Sequence, residues 1–382
     1  MAIKIAVLKE HLAGERRVAM IPSLQARIAK LGARLSLRSG AGLEAGFSDT
    51  SYEAADIASS DAELLANAQV VLAVHAPSAE IVASMQPGSL LIGLLYLEQT
   101  PELLEQLCQR RITAYAVERI PRVSRAQAMD ALSSQATLVG YLAPLLGALE
   151  LPRILPMMTT AVGSLRAARV LVMGLGVAGL QALATARRLG AVTEGYDVRP
   201  ETKEQAQSVG ARFIETGVDA RGEGGYARAL TAEEQAATHA ALTEHIAQAD
   251  LIITTANVPG RAAPRLIDRS QIDRMKVGSV IVDLAAESGG NCEGTVPGQT
   301  IQVGPAKIVA PMDLISRLAQ HASELYAKNL AAILDLVLVD GAVKLDFADE
   351  LIAGAVVTHD GNIVSPPHGP APAGTSSKEA YA

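Results

Sequence analysis

Short apolar runs recur along the chain, separated by segments of helical period. Residues 3–8, 34–38, 70–74, 90–95 and 113–116 have the length and branched aliphatic content of buried strands. Helices are expected between them, at about 22–31, 51–55, 61–66, 80–85 and 102–110. Strands alternating with helices at this spacing predict a parallel sheet with right-handed crossovers. A polar segment at 121–135 then breaks the rhythm and runs into a long apolar helix, 132–149. A second strand series follows at 170–173, 191–196, 211–214, 251–255, 280–284 and 307–309. Another long helix, 314–337, is expected to return the chain to the first domain, where 352–357 adds a final strand. The predicted fold class is α/β: two Rossmann-like, doubly wound parallel-sheet domains joined by long crossing helices. Their expected limits are 1–135 with 330–364, and 136–329; the Pro-, Ala- and Ser-rich stretch 365–382 reads as a flexible tail.

The second domain is organised around one stretch. The apolar run 170–173 leads directly into Gly174-Leu175-Gly176-Val177-Ala178-Gly179, helical spacing continues to Gly190, and the next strand delivers Asp197. Gly174 allows a tight turn, Gly176 lets backbone approach a pyrophosphate, and Gly179 lets helix and strand pack closely. The free N–H groups at the helix start face phosphate. A glycine-rich turn alone is weak evidence, but here it has the strand before it, the helix after it and an acid eighteen residues past Gly179. An ionised Asp197 can accept from both adenosine ribose hydroxyls, at roughly 1.5–3 kcal/mol per charged hydrogen bond. It would repel a 2′-phosphate by on the order of 4 kcal/mol per charge pair at close range. Arg199 could offset such a phosphate, yet the stretch favours NAD over NADP.

Composition narrows the picture further. The 382 residues are 49% hydrophobic and 3% aromatic with no Trp, which suits large aliphatic cores. The net charge of −7 is interspersed and shows no basic stripe, so nucleic acid is not an expected partner. Cys108 and Cys292 have no metal or redox spacing and the seven histidines are scattered, so no metal is expected. The start reads as a strand and not as a signal peptide. The longest apolar stretch, 137–149, is short for a membrane span and holds Gly140, Pro144 and Gly147, so the chain is not expected to cross a membrane. Residues 215–226 carry four glycines and no apolar period, as a mobile lid or a plain surface loop would.

At P-R-V-S-R-A-Q-A-M-D-A-L-S-S-Q, residues 121–135, the chain resembles the nucleotide-site loop of a known family. That family is the soluble NAD(H)-binding component, domain I, of proton-translocating nicotinamide nucleotide transhydrogenase. The resemblance extends to L-K-E…R-R-V-A-M-I-P (8–22), P-M-M-T-T-A-V-G (156–163), D-V-R at Asp197, G-G-Y-A (224–227), I-T-T-A (253–256) and V-D-L-A…G-G-N-C (282–292). Its most specific signal is R-x-x-x-x-Q-x-x-D, here Arg122, Gln127 and Asp130. The resemblance implies NAD(H) on this chain, NADP(H) on a partner subunit, and direct hydride transfer between the two nicotinamides. It also implies membrane-spanning partners that couple the transfer to proton movement, a cytoplasmic position on the membrane's inner face, a homodimer, and a separately encoded first subunit. Arg122, Gln127, Asp130 and Ser133 become the candidate catalytic residues. Arg122, Gln127, Gly174, Gly176, Val177, Gly179, Asp197, Val198, Arg199, Gly225, Tyr226, Ala256 and Asn257 become the candidate cofactor residues, with Tyr226 on the closing loop. A polar loop that merely caps the following helix would explain Asp130 but does not require Arg122 and Gln127.

Two other readings compete. Alanine dehydrogenase shares much of the N-terminal pattern, but its chemistry needs a lysine and a histidine, and the matching positions here are Ala73 and Tyr96. His75, two residues along the same strand, is the one group that favours this alternative. A non-catalytic NAD-binding regulator would keep the glycine turn and Asp197 with no use for Arg122, Gln127 and Asp130. Asn257, Leu142 and Ala73 depart from the transhydrogenase pattern, which has an apolar residue, an arginine and commonly a lysine there.

Overall fold

The computed structural model describes residues 2–219, 228, 230–257 and 262–364, in two compact units. Among these residues the first unit takes in 2–130 and 326–364, the second 131–257 and 262–325.

The first unit begins with β1 (Ile3–Val7), α1 (Gln25–Lys30), β2 (Ala33–Arg38), β3 (Asp56–Ala58) and α2 (Asp61–Leu65). It continues with β4 (Val70–His75), α3 (Ala79–Ser84), β5 (Leu90–Leu94), α4 (Pro101–Gln109) and β6 (Thr113–Ala116). The second unit opens with α5 (Ala131–Glu150), the short pair β7 (Met158–Thr160) and β8 (Gly163–Leu165), then β9 (Arg169–Met173) and α6 (Val177–Arg188). It goes on through β10 (Val192–Tyr196), α7 (Thr202–Ser208), β11 (Arg212–Phe213), α8 (Ala232–Gln248) and β12 (Leu251–Thr254). It ends with α9 (Arg269–Ile272), β13 (Val280–Asp283), β14 (Thr300–Val303) and β15 (Ala306–Val309). Helix α10 (Ala319–Val337) carries the chain into the first unit, followed by β16 (Leu338–Val339), β17 (Ala342–Val343), α11 (Glu350–Ala355), β18 (Val356–His359) and β19 (Asn362–Ile363).

The first unit's sheet runs β19-β18-β6-β5-β4-β1-β2-β3 and the second's β11-β10-β9-β12-β13-β15-β14. The centres are parallel, as helical crossovers require. The sheets are nevertheless mixed, not wholly parallel. β14 is antiparallel to β15, β18 is antiparallel to β6, and β19 is antiparallel to β18. Two-residue connections force the hairpins among these: Asp360-Gly361 between β18 and β19, Asp340-Gly341 between β16 and β17, each with both φ angles positive. Such turns only join antiparallel strands. The strand expected at 352–357 is replaced by α11, because Asp349 accepts from the Leu351 N–H and starts a helix there; pairing begins only at Val356. The helix expected at 51–55 is likewise a turn leading into β3.

Helix α5 alters another expectation. Among the described residues it alone is long and apolar enough to cross a membrane, by length and composition. Its small residues show why a core helix has that composition. A Cβ on Gly140 would lie 2.2 Å from the Ala178 carbonyl of α6, and one on Gly147 2.5 Å from Leu251 of β12. The helix therefore packs with its backbone close against the second sheet and α6. That sheet's two faces are aliphatic, with Val170, Val172, Leu251 and Ile253 on one and Leu171, Met173, Ile252 and Ile281 on the other.

Candidate functional site

The turn after β9 has the geometry its glycines call for. Gly174 has φ +95, and a Cβ on it would meet the Thr255 hydroxyl and the Ala256 nitrogen within 2.9 Å. Gly179 faces back onto the turn, where a Cβ would come within 1.9 Å of the Gly174 carbonyl. Gly176 differs: it caps α6 in extended conformation without a side-chain bond, and a Cβ there meets nothing within 4 Å. Two of the glycines thus serve packing, while the third leaves open space over the N–H groups of a helix start, a cradle that fits an anionic pyrophosphate. Val177, the first residue of α6, is exposed beside it.

Asp197 follows β10 with its carboxylate buried and fully engaged. Oδ2 accepts from the Leu175 N–H (2.7 Å) and Arg199 Nη2 (2.9 Å), and Oδ1 from the Arg199 N–H (2.9 Å) and Nε (3.0 Å). A carboxylate offers about four acceptor sites. Ribose hydroxyls therefore reach Asp197 only as the Arg199 side chain gives way, a condition that the sequence did not reveal. Val198, between them, is half-buried.

Three residues outside the predicted set hold this edge together. The Thr255 hydroxyl donates to the Gly174 carbonyl (2.7 Å). Asn291, fully buried, grips Ala256 from both sides: its Oδ1 accepts from the Ala256 N–H (3.1 Å) and its Nδ2 donates to the Ala256 carbonyl (2.8 Å). Asp283, at the end of β13, accepts from the N–H groups of Asn291 and Cys292 and from the hydroxyls of Thr254 and Thr295. Their signal was present as V-D-L-A…G-G-N-C and I-T-T-A, but the roles depend on tertiary pairing. Asn257, next along, is exposed. Gly225 and Tyr226 lie outside the described residues.

In the first unit, 124–129 forms a 3₁₀ helix with Asp130 as its C-terminal cap. Side chains three apart eclipse in that geometry. Ala126 and Met129 accordingly share a buried face, while Gln127 is exposed and Asp130, three residues on, half-buried. The 3₁₀ turn thus brings Gln127 and Asp130 to one side. Arg122 is exposed ahead of it, and Ser133 is half-buried on α5 in the second unit.

The groups relevant to amino-acid dehydrogenation are disposed differently. Ala73 is fully buried, and its carbonyl accepts from the Tyr326 hydroxyl (2.8 Å). A register irregularity between Leu72 and His75 breaks the alternation that put His75 on the face of Ala73. His75 Nε2 instead lies 2.7 Å from a Glu15 carboxylate oxygen and 3.1 Å from Arg17 Nη2. Burial works to raise the Glu15 pKa, but hydrogen bonds from Arg17 and His75 outweigh it and hold the carboxyl well below the usual range. Nearby Glu118 behaves oppositely: burial pushes it up to about 7, although it accepts from the N–H groups of Leu95 (2.9 Å) and Tyr96 (2.6 Å). Tyr96 itself is left-handed, with φ +41.

A glycine turn opening a helix beside a strand-end carboxylate, at a reversal of strand order, is the arrangement of a dinucleotide-binding α/β protein. Comparison with known proteins specifies it. The family "Alanine dehydrogenase/PNT, N-terminal domain" matches residues 6–139, and "Alanine dehydrogenase/PNT, C-terminal domain" matches 143–366. The chain is 43% identical over 378 residues to the first of the separate chains that make up NAD(P) transhydrogenase subunit alpha in Rhodospirillum rubrum, covering 95% of this chain and 98% of that one. The crystal structure of transhydrogenase from Sinorhizobium meliloti superposes with a TM-score of 0.84 at 40% identity, over 95% of this chain and 99% of that one. Alanine dehydrogenase of Halomonas elongata is 33% identical, over 80% of this chain and 78% of its own length. The chain belongs to the alanine dehydrogenase/PNT family and, within it, to the NAD(P) transhydrogenase alpha subunits.

Proposed function

We propose that this chain is the NAD(H)-binding component of a proton-translocating transhydrogenase, passing hydride directly between NADH and NADP⁺ held on a partner subunit. The chemistry that NAD(H) supplies, when held here, is a hydride from its reduced nicotinamide ring. Such a transfer neither makes nor consumes a proton at the ring, so what the protein must add is orientation. In this reading Gly174, Gly176, Val177 and Gly179 receive the pyrophosphate. Asp197, with Val198 and Arg199, receives the adenosine ribose, and Ala256 and Asn257 border it. Gln127 and Asp130 fix the nicotinamide through hydrogen bonds of set direction, while Arg122 and Ser133 balance their charge and remaining donors. Gly225 and Tyr226 are assigned to a closing loop on sequence resemblance alone.

The observation that carries this choice over an amino-acid dehydrogenase is the pair Ala73 and Tyr96. A methyl group sealed in the core cannot polarise a carbonyl, and a phenol is a poor acid–base at neutral pH. The 3₁₀ face of Gln127 and Asp130 favours it over a regulator, which would need only the glycine turn. Membrane-spanning and NADP(H)-binding subunits are the implied partners, with this chain peripheral on the inner face of the cytoplasmic membrane. A homodimer is supported by β7 and β8, whose six residues are all exposed and which, with Met157 and Val162, present an apolar hairpin.

Reconstitution tests the proposal. Mixed with an NADP(H)-binding transhydrogenase component, the chain should catalyse reduction of an NAD analogue by NADPH. NADH binding without any transfer would point to a regulator, and turnover of alanine with NAD alone to the dehydrogenase.

A further inference from the structure

We infer that Asn329, with the ion pair Arg125–Asp349, is a positioning residue that sets where Gln127 points. The inference rests on the assignment of Gln127 and Asp130 to the nicotinamide. The 3₁₀ segment is short, and isolated turns of this kind do not hold their geometry unaided. Here it is pinned on either side of Gln127. Arg125 makes a bidentate pair with Asp349, Nη1 to Oδ2 at 2.8 Å and Nη2 to Oδ1 at 2.5 Å. Asp349 is itself held, because its Oδ1 also accepts from the Leu351 N–H at the start of α11. On the other side Asn329 of α10, nearly buried, donates from Nδ2 to the Ala128 carbonyl (2.8 Å). Gln127 lies between the two pins, and the flanking Ala126 and Met129 are buried. Gly354 of α11 closes the approach further back: a Cβ there would come within 2.8 Å of Pro121. Neither Asn329 nor Asp349 belongs to the nucleotide-binding turn, and each acts on the loop through its backbone or through Arg125.

The two pins differ in what they can contribute. The Arg125–Asp349 pair is partly exposed and screened by solvent. Asn329 satisfies a carbonyl at a nearly buried site, where loss of the donor is felt in full. Asn329→Asp keeps the side chain's shape and removes the donor, so Ala128 is repelled and the turn shifts. Displacements of this kind reduce rates steeply where ring orientation governs the chemistry.

The test uses the full chain in the reconstituted transhydrogenase. Asn329→Asp should lower kcat for hydride transfer on the order of tenfold, with the NADH Kd changed less than about twofold. Arg125→Gln, at an exposed site that leaves folding intact, should lower it by roughly threefold in the same way. Combining Asn329→Asp with Gln127→Asn should add little to Gln127→Asn alone, since both remove the same orientation. A merely structural Asn329 would reduce stability and NADH affinity together and add in full to Gln127→Asn, which overturns the inference, as would unchanged kcat in both single variants. If Asn329→Asp does not fold, the Arg125→Gln split and its coupling to Gln127→Asn decide alone. A Gln127→Asn enzyme with full transfer rate removes the nicotinamide assignment and this inference with it. A slowed Gln127→Asn beside fully active Asn329→Asp and Arg125→Gln removes the inference only.

Discussion

Gly176 and Gly179 stand three residues apart in one motif, and their surroundings predict opposite failures. A methyl group on Gly179 would come within 1.9 Å of the Gly174 carbonyl, whereas the closest ordinary C···O contacts are about 3.3 Å. Gly179→Ala must therefore push α6 off the turn by more than an ångström, and overpacking of that order costs about 1–3 kcal/mol. At Gly176 nothing lies within 4 Å, and φ −76 with ψ −166 is open to any residue. Gly176→Ala at the start of a helix should then cost under about 1 kcal/mol in folding. The methyl group does fill the space through which phosphate reaches the N–H groups. Loss of one charge-assisted hydrogen bond, roughly 1.5–3 kcal/mol, weakens NADH binding by roughly 10- to 100-fold. The chain has no Trp, so NADH fluorescence can be titrated without a tryptophan background, and urea denaturation gives the stability. A Gly176→Ala variant that binds NADH like the parent, or a Gly179→Ala variant as stable as the parent, would refute this division of roles.

The other predictions concern charge and buried polar groups. Asp197→Asn keeps an acceptor for the Leu175 N–H but releases the Arg199 guanidinium, so NADH should weaken and NADPH gain, shifting preference by roughly tenfold. Equal titrations of both nucleotides before and after the change would remove Asp197 from selection. Asn291→Ala leaves the Ala256 N–H and carbonyl without their partner and should cost about 1–3 kcal/mol in urea denaturation. A smaller loss would mean that the loop holds itself. Glu118, raised by burial from 4.5 to about 7, binds its proton more tightly folded than unfolded, so its contribution is complete below pH 4.5 and is lost as pH rises through 7. That loss amounts to at most about 3 kcal/mol, and Glu118→Gln should flatten stability between pH 5 and 8. Glu15, held low by Arg17 and His75, has the opposite sign, its stabilisation being lost as pH falls below 4.5, so an unchanged neutral slope in Glu118→Gln could not be assigned to Glu15.

What could be read from the sequence follows how far each interaction reaches along the chain. Strands 70–75, 90–94 and 113–116 were legible because a buried parallel strand is continuously apolar. The turn 174–179 was legible because its constraints act within six residues. Asp340-Gly341 and Asp360-Gly361 carried a local hairpin signal as well, and attention to that dipeptide would have corrected the wholly parallel sheet. The spacing of three between Gln127 and Asp130 also implied a shared 3₁₀ face. By contrast, the partners that hold the Gln127 segment are Asn329 and Asp349, more than 200 residues away in sequence. The engagement of Asp197 by Arg199 was hidden for another reason. The residues are neighbours, but whether the arginine turns to its own acid or outward depends on the burial of that acid.

The second sheet's carboxyl edge supplies one more step. Asp197 accepts from Leu175, Gly174 accepts from Thr255, Ala256 is gripped by Asn291, and the Asn291 N–H is accepted by Asp283, which also takes the hydroxyl of Thr254. These links join the loops after β10, β9, β12 and β13 in their order across the sheet. Strand order reverses about β9 and β12, where such folds receive their ligands. A dinucleotide laid on this edge therefore meets backbone whose position is already set from both sides, and less ordering is left to oppose binding. The chain of links has a measurable consequence. Thr255→Val and Asn291→Ala loosen the same loop from opposite ends, so their effects on NADH affinity should fall short of the sum, by about 0.5–3 kcal/mol of coupling. Strict additivity would mean that each bond fixes only its own residue, and that the edge is a set of separate turns and not a preformed seat.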